Sequence, residues 1–213
     1  MKKILLSLAV LATGAAAQAQ EGTFGFNQGD ILLEGSIQSS SVKDEVTINN
    51  IEASSKETTT LFNPKAGYFI NDKFVLGVEL GVGATKLTEQ LGNVQTVEKG
   101  NAFYAGVFGR YYFLDLGQRF KTYTEVGMGM ENSKYTDDLG VVTKYSGFNA
   151  GLGLGVNYFV TPKIAINFGL SDVLSFSSSK DKQTDGTTNE FNANINVFNN
   201  FFSTATFGLT FKL

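Results

Sequence analysis

The 213-residue chain carries 17 Lys+Arg against 20 Asp+Glu, a net charge of −3, and has no Cys, His or Trp. Those absences exclude a disulfide framework, a thiol nucleophile and a zinc–cysteine site, and remove the commonest general base and metal ligand. The basic residues do not cluster along the chain, so no nucleic-acid partner is expected. The 24 Gly, 19 Phe and 8 Tyr against 2 Pro depart from an ordinary soluble globule.

The chain opens like a secretory signal peptide. Lys2 and Lys3 precede an apolar run, Ile4–Leu11, broken only by Ser7. Ala17-Gln18-Ala19 gives the small-x-small pattern of a cleavage site. The expected division is a signal peptide over 1–19 and one barrel domain over 20–213. Losing Lys2 and Lys3 takes the net charge from −3 to −5. The apolar run is much shorter than the ~20 residues a helical membrane span needs.

From Asp30 onward apolar residues recur with period two, the mark of strands with two distinct faces. The pattern predicts eight strands. The first, 30–39, sets Ile31, Leu33 and Ile37 against Glu34, Ser36 and Gln38. The second, 58–70, sets Phe62, Ala66, Tyr68 and Ile70 against Asn63 and Lys65. In the third, 74–86, Phe74, Leu76, Val78, Leu80 and Val82 alternate with Gly77, Glu79, Gly81 and Gly83. The fourth, 101–114, points Phe103, Ala105, Val107, Tyr111 and Phe113 one way; the fifth, 121–134, does so with Thr124, Val126, Met128 and Met130. The sixth, 145–159, sets Phe148, Ala150, Leu152, Leu154, Val156 and Tyr158 against Asn149, Gly151, Gly153, Gly155 and Asn157. The seventh, 164–176, opposes Ile164, Ile166, Phe168 and Leu170 to Asn167, Gly169 and Ser171. The eighth ends the chain, with Phe207, Leu209, Phe211 and Leu213 on one face.

Connections alternate in length. Those at 71–73, 115–120 and 160–163 are short; 40–57, 87–100, 135–144 and 177–190 are longer and polar, and read as loops. Short turns at one end and long loops at the other suit an up-and-down membrane barrel. Gly151-Leu152-Gly153-Leu154-Gly155 is not a GxGxxG fingerprint and precedes no helix, so the glycines read as inward strand positions. No cofactor is expected.

Two features place the apolar face against lipid rather than in a soluble core. The opposite face is Gly-, Asn-, Ser- and Thr-rich, too small and polar for a soluble exterior. Aromatic residues also collect at strand ends: Tyr68, Phe69, Phe74, Tyr111, Phe113, Tyr158, Phe159 and Phe211 toward the short turns, and Phe62, Phe103, Phe148 and Phe176 toward the long connections. Two such girdles bracket the apolar band of a membrane barrel.

The closing run Phe207-Gly208-Leu209-Thr210-Phe211-Lys212-Leu213 resembles the C-terminal strand by which outer-membrane barrels are recognised for insertion, with Phe207, Leu209, Phe211 and Leu213 as the signal. An aromatic last residue is usual there, and Leu213 departs from it. The chain over 20–213 resembles the outer membrane β-barrel, porin-like family of Gram-negative bacteria, similar in size to the OmpA transmembrane domain. The resemblance implies an all-β, closed, up-and-down antiparallel barrel of eight strands in the cell outer membrane. Its expected partners are outer-membrane lipid, the barrel assembly machinery, and an extracellular ligand held through 40–57, 87–100, 135–144 and 177–190.

Register makes the inner face specific. A turn centred on Asp72 sets Ile70 opposite Phe74 outside and Lys65 opposite Glu79 inside. A turn centred between Gly117 and Gln118 sets Phe113 opposite Thr122 outside and Arg110 opposite Glu125 inside. Glu34 and Lys212 also point inward, on the strands that close the ring. An eight-stranded interior is just wide enough to be filled by side chains, and Tyr104, Phe108, Tyr112 and Tyr123 fall there too. The charges read either as a network that plugs the lumen or as a gate whose pairs exchange. The expected function is structural or surface-interaction; the alternative is a narrow channel or transporter of small or hydrophobic solutes. An enzyme is not expected. Similar barrels that act on lipids or peptides rely on histidine, and Asp137-Asp138 reads as a solvated turn.

Overall fold

The computed structural model describes residues 23–48, 51–193 and 206–213. Ala17 and Ala19 of the expected cleavage site lie outside the described residues. Among the described residues nine strands run in chain order: β1 (Ile31–Ile48), β2 (Ile51–Asn71), β3 (Phe74–Leu91), β4 (Val94–Leu116), β5 (Phe120–Thr136), β6 (Val142–Thr161), β7 (Ile164–Asp181), β8 (Thr187–Ala193) and β9 (Thr206–Lys212). Every pairing is antiparallel. β1 to β7 follow one another, and β9 closes the ring by pairing with both β7 and β1. The result is an eight-strand ring, which leaves the lower barrel without an edge.

β8 and β9 share one edge of β7. β9 pairs with Ile164–Gly169 and β8 with Leu174–Lys180. Among the described residues β8 pairs with β7 alone, and β1 beyond Ile37 pairs with β2 alone.

The strands are much longer than the periodicity suggests. Most of 40–57, 87–100, 135–144 and 177–190, expected as loops, is strand that continues past the apolar band. The connections shrink to short turns such as Gly92-Asn93, where Gly92 has φ 57°. The reason is chemical. Beyond the band neither face is apolar, so hydrophobic alternation disappears, while Thr-rich runs such as Thr58-Thr59-Thr60 still favour strand. β4 has 23 residues, roughly 75 Å of strand, whereas about 9–11 tilted residues cross a bilayer.

The predicted registers hold inside the barrel and slip beside the turns. Lys65 faces Glu79 and Arg110 faces Glu125. Ile70 does not meet Phe74; a shift after Phe69 pairs Asn71 with Phe74. The Asn71 carboxamide oxygen accepts from the Lys73 and Phe74 amides, each at 2.9 Å, which fixes that tight turn. Likewise Phe113 does not meet Thr122; a shift at Phe113 pairs Leu114 with Thr122.

The outward face is apolar, with Leu76, Val78, Val107, Met128 and Phe103 exposed around the wall. Phe69 and Phe159 leave the expected lower girdle. They are 0 % and 1 % exposed and point into the lumen, as alternation requires beside the outward Tyr68 and Tyr158. The inward glycines make room for large neighbours: a Cβ at Gly155 would lie 2.2 Å from the Tyr123 ring.

Candidate functional site: the lumen

The site is built where five strands carry charge to one level. Glu34 (β1), Lys65 (β2), Glu79 (β3), Arg110 (β4) and Glu125 (β5) converge inside the barrel. Arg110 is its centre, at 1 % exposure. Its Nη1 and Nη2 donate to the two Glu34 oxygens at 2.9 and 2.8 Å. Its Nε donates to Glu125 Oε2 at 2.7 Å. Lys65 pairs with Glu79 Oε2 at 2.9 Å and also with Glu125. Arg110 lies 4.0 Å from the Tyr123 ring centre, a cation–π contact.

Neutral groups saturate what the charges leave open. Glu34 Oε2 also accepts from Asn167 Nδ2 at 2.7 Å and Thr210 Oγ1 at 2.8 Å. Tyr112 and Tyr123 donate to Asn157 and Asn167 at 2.8 and 3.1 Å. Tyr104 donates to Glu79 at 2.8 Å. This matters because a buried charge costs several kcal/mol unless it is paired and its remaining lone pairs are satisfied. Among the described residues the only buried side-chain polar atom without a partner is Thr122 Oγ1, outside the cluster.

Of the six charges read as inward, five meet in this layer. Lys212 does not. It lies opposite Leu32, nearer the short turns, where its Nζ donates to the Gly25 carbonyl at 2.9 Å and stands 3.8 Å from Asp30. Glu34, on the same strand pair, faces Thr210 and reaches across the lumen to Arg110 instead. Phe207, Leu209 and Phe211 of the closing strand pair with both β1 and β7; Leu213 lies just past β9, its backbone bonded to Ile31.

A second layer lies beneath the charges. The segment 23–30 enters the mouth at the short-turn end, where Phe26 stacks on Phe69 at 4.3 Å and meets Tyr112 and Phe159 at 4.9 and 5.2 Å. Leu32, Val75 and Ala165 complete the cluster, each 0 % exposed. Backbone ties hold the segment there: Gly29 N to Phe69 O at 2.9 Å, and Gln28 N to Asp72 Oδ1 at 2.7 Å. Sequence reasoning missed this plug. Its signal was Phe24-Gly25-Phe26, two aromatics just before the first strand with no strand face to sit on.

Above the charges, away from the short turns, the lumen opens into a cavity of about 920 Å³. Its floor is Glu34, Lys65, Glu79 and Arg110, and its walls include Gln38, Asn63, Asn149 and Asn192. The loop pair Asp137-Asp138 is spent on backbone: Asp137 Oδ1 accepts from the Leu139 and Val141 amides, and Asp138 accepts from Val97 N. Among the described residues no group of three His, Cys, Asp or Glu side chains is placed to hold a metal ion.

An eight-strand antiparallel ring, apolar outside and polar inside, is a transmembrane β-barrel. The model of the outer membrane protein β-barrel domain matches residues 4–198. The chain belongs to that family, and it crosses the cell outer membrane with its strands. Solved structures similar to it include OprG from Pseudomonas aeruginosa, at 15 % identity and TM-score 0.46, covering 89 % of this chain and 98 % of that one. Neisserial surface protein A is similar at 17 % identity and TM-score 0.43, covering 91 % and 100 %. The attachment invasion locus protein Ail of Yersinia pestis is similar at 14 % identity and TM-score 0.43, covering 87 % and 99 %. No curated protein matches the chain in sequence.

Proposed function

We propose that this protein is a closed barrel with a structural and surface-interaction role, which presents an extracellular ligand surface rather than a pore and performs no catalysis. The observation that carries this reading is the double obstruction of the lumen. Arg110 bridges Glu34 and Glu125 across the bore, and Phe26 packs against Phe69 directly below. An ion descending the cavity meets first a saturated salt-bridge layer and then a dry aromatic layer. Rigid strands carry the turns and the cavity mouth well beyond the membrane, which is where binding on a scaffold usually resides. The inward ion pairs act as structural plugging, and the extended hairpins replace the loops as the ligand-bearing segments.

Planar-bilayer conductance of the purified protein tests this. Silence over long recordings is the expected result, and steady single-channel steps overturn it. A second reading, release of a small apolar solute sideways through the wall, is favoured by one observation: β1 beyond Ile37 and β8 each lack a second partner among the described residues. Uptake of a fluorescent fatty acid by proteoliposomes, above the rate of empty vesicles, would support that reading.

A further inference from the structure

The lysines of the upper barrel share one face and nearly one height. Lys86 on β3 lies directly opposite Lys99 on β4, and Lys134 on β5 directly opposite Lys144 on β6. Lys43 and Lys56 repeat the arrangement on β1 and β2. All six are exposed. Alternation puts them on the lipid-facing side. Lys86 follows Val82, Lys99 precedes Phe103, Lys134 follows Met130 and Lys144 precedes Phe148, all outward and exposed apolar residues. On these four neighbouring strands the lysine stands four residues beyond an exposed apolar side chain of the lipid-facing band. Lys180 on β7 stands in the same relation to Phe176.

Four residues are about 13 Å of strand, or about 10 Å of height at the usual barrel tilt. A lysine stem bridges much of that distance back to the headgroup layer. Like charges directly opposite on a strand pair repel, and here the repulsion occurs three times. Nothing in the fold offsets it on β2 to β6: Lys56, Lys86, Lys99, Lys134 and Lys144 make no ion pair among the described residues, whereas Lys43 pairs with Glu45 and Lys180 with Asp185. The acids adjacent in sequence, Glu57 beside Lys56 and Glu98 beside Lys99, fall on the opposite face. On β3 to β6 the upper outward face carries four lysines and, among the described residues, no acid, which suits it to an external anion.

We propose that this girdle binds the phosphate groups of lipids in the outer leaflet, with the Lys86–Lys99 and Lys134–Lys144 pairs as its strongest part. A soluble polyanion would need a patch on one side of the barrel. The lysines instead follow the circumference at the membrane boundary, where a lipid phosphate is the counter-ion at hand.

The test uses the full mature barrel in neutral detergent and measures lipid adducts by native mass spectrometry. The probes are lipid A carrying both phosphates and the same lipid dephosphorylated. The wild-type protein should prefer the phosphorylated form by about tenfold, the preference fading with salt. The variant K86Q/K99Q/K134Q/K144Q should lose that preference, its arginine counterpart should keep it, and K73Q at a short turn should change nothing. Equal binding of the two lipids by the wild type overturns the proposal. So does retention of the preference by the glutamine variant. Heparin bound as tightly as the phosphorylated lipid, and displacing it, also overturns it in favour of a soluble polyanion. Where the fourfold variant shows no heat-shifted gel band, K86Q/K99Q and K134Q/K144Q are compared separately, and each must weaken the preference.

Discussion

Arg110 on β4 holds Glu34 on β1 with two parallel hydrogen bonds of 2.8 and 2.9 Å across the barrel, although 76 residues separate them and no turn relates their strands. Bidentate guanidinium–carboxylate pairs are among the strongest and most geometrically selective side-chain contacts. This one ties the first strand, beside the closing seam, to the fourth. It also makes Glu34 the most fully used acid of the layer, with Asn167 and Thr210 as further donors.

Removing one partner of that pair should therefore cost more than removing both. Arg110→Met leaves Glu34 and Glu125 buried together without their guanidinium, and should destabilise the barrel by about 3–5 kcal/mol. Adding Glu34→Gln should return part of the loss. Urea unfolding in phospholipid vesicles, run as a double-mutant cycle, gives the coupling directly. The Arg110–Glu34 coupling should exceed the Arg110–Glu125 coupling, because Glu125 keeps Lys65 when Arg110 is gone. The reverse order would mean that the bidentate contact is not the dominant one.

The charge layer was only partly legible in the sequence, for a definite reason. Lys65–Glu79 and Arg110–Glu125 are neighbours across hairpins, so a turn position and a period of two are enough to pair them. Arg110–Glu34 crosses the lumen, and only closure of the ring brings it together. The plug was illegible for the same reason: Phe26 meets Phe69 and Phe159 only once 23–30 folds back into the mouth. The strand lengths were missed where the solvent is the same on both faces, since alternation records a difference in environment and vanishes without one.

The lipid face should reject charge in proportion to depth. Val107 sits midway along the outward face of β4 and is 52 % exposed in the bare barrel, where its surroundings are hydrocarbon. Val107→Lys should cost about 2–4 kcal/mol. Leu139→Lys, in the turn between β5 and β6 and 89 % exposed, should cost almost nothing. The fraction of each variant that acquires the cold-detergent gel shift reports assembly. Equal yields would place Val107 away from lipid.

Gly155 should tolerate no side chain. A methyl there would collide with the Tyr123 ring at 2.2 to 2.8 Å, and Tyr123 is held by Asn167 and stacked under Arg110. Gly155→Ala should destabilise by about 1–3 kcal/mol, as overpacking of a filled interior does. Gly140→Ala separates two causes. Its Cβ would meet nothing within 4 Å, and only its φ of 78° opposes the change, so it should cost less. Thermal midpoints of the two variants in the same detergent decide this, and a larger loss for Gly140→Ala would show that Tyr123 moves aside freely.

The two layers of the lumen should fail independently. Phe26→Ala removes a ring that stacks on Phe69 and touches Tyr112 and Phe159, and at 8 % exposure it should cost about 3 kcal/mol. The barrel should still assemble, because Phe26 belongs to no strand and the ring of ladders is complete without it. It should also stay electrically silent, since the Arg110 layer above remains saturated. Arg110→Met with Glu125→Gln keeps the aromatic layer and should likewise stay silent. Only the combined variant, lacking both layers, should pass steady current. Conductance from the Arg110/Glu125 variant alone would show that the aromatic layer leaks and that the ion pairs are the seal. Conductance from Phe26→Ala alone would show that the charge layer is wet and conducts once its floor is gone. Silence in all three would mean that Phe69, Phe108, Tyr112 and Tyr123 refill the bore, and a fourth variant with Phe69→Ala would then be required to open it.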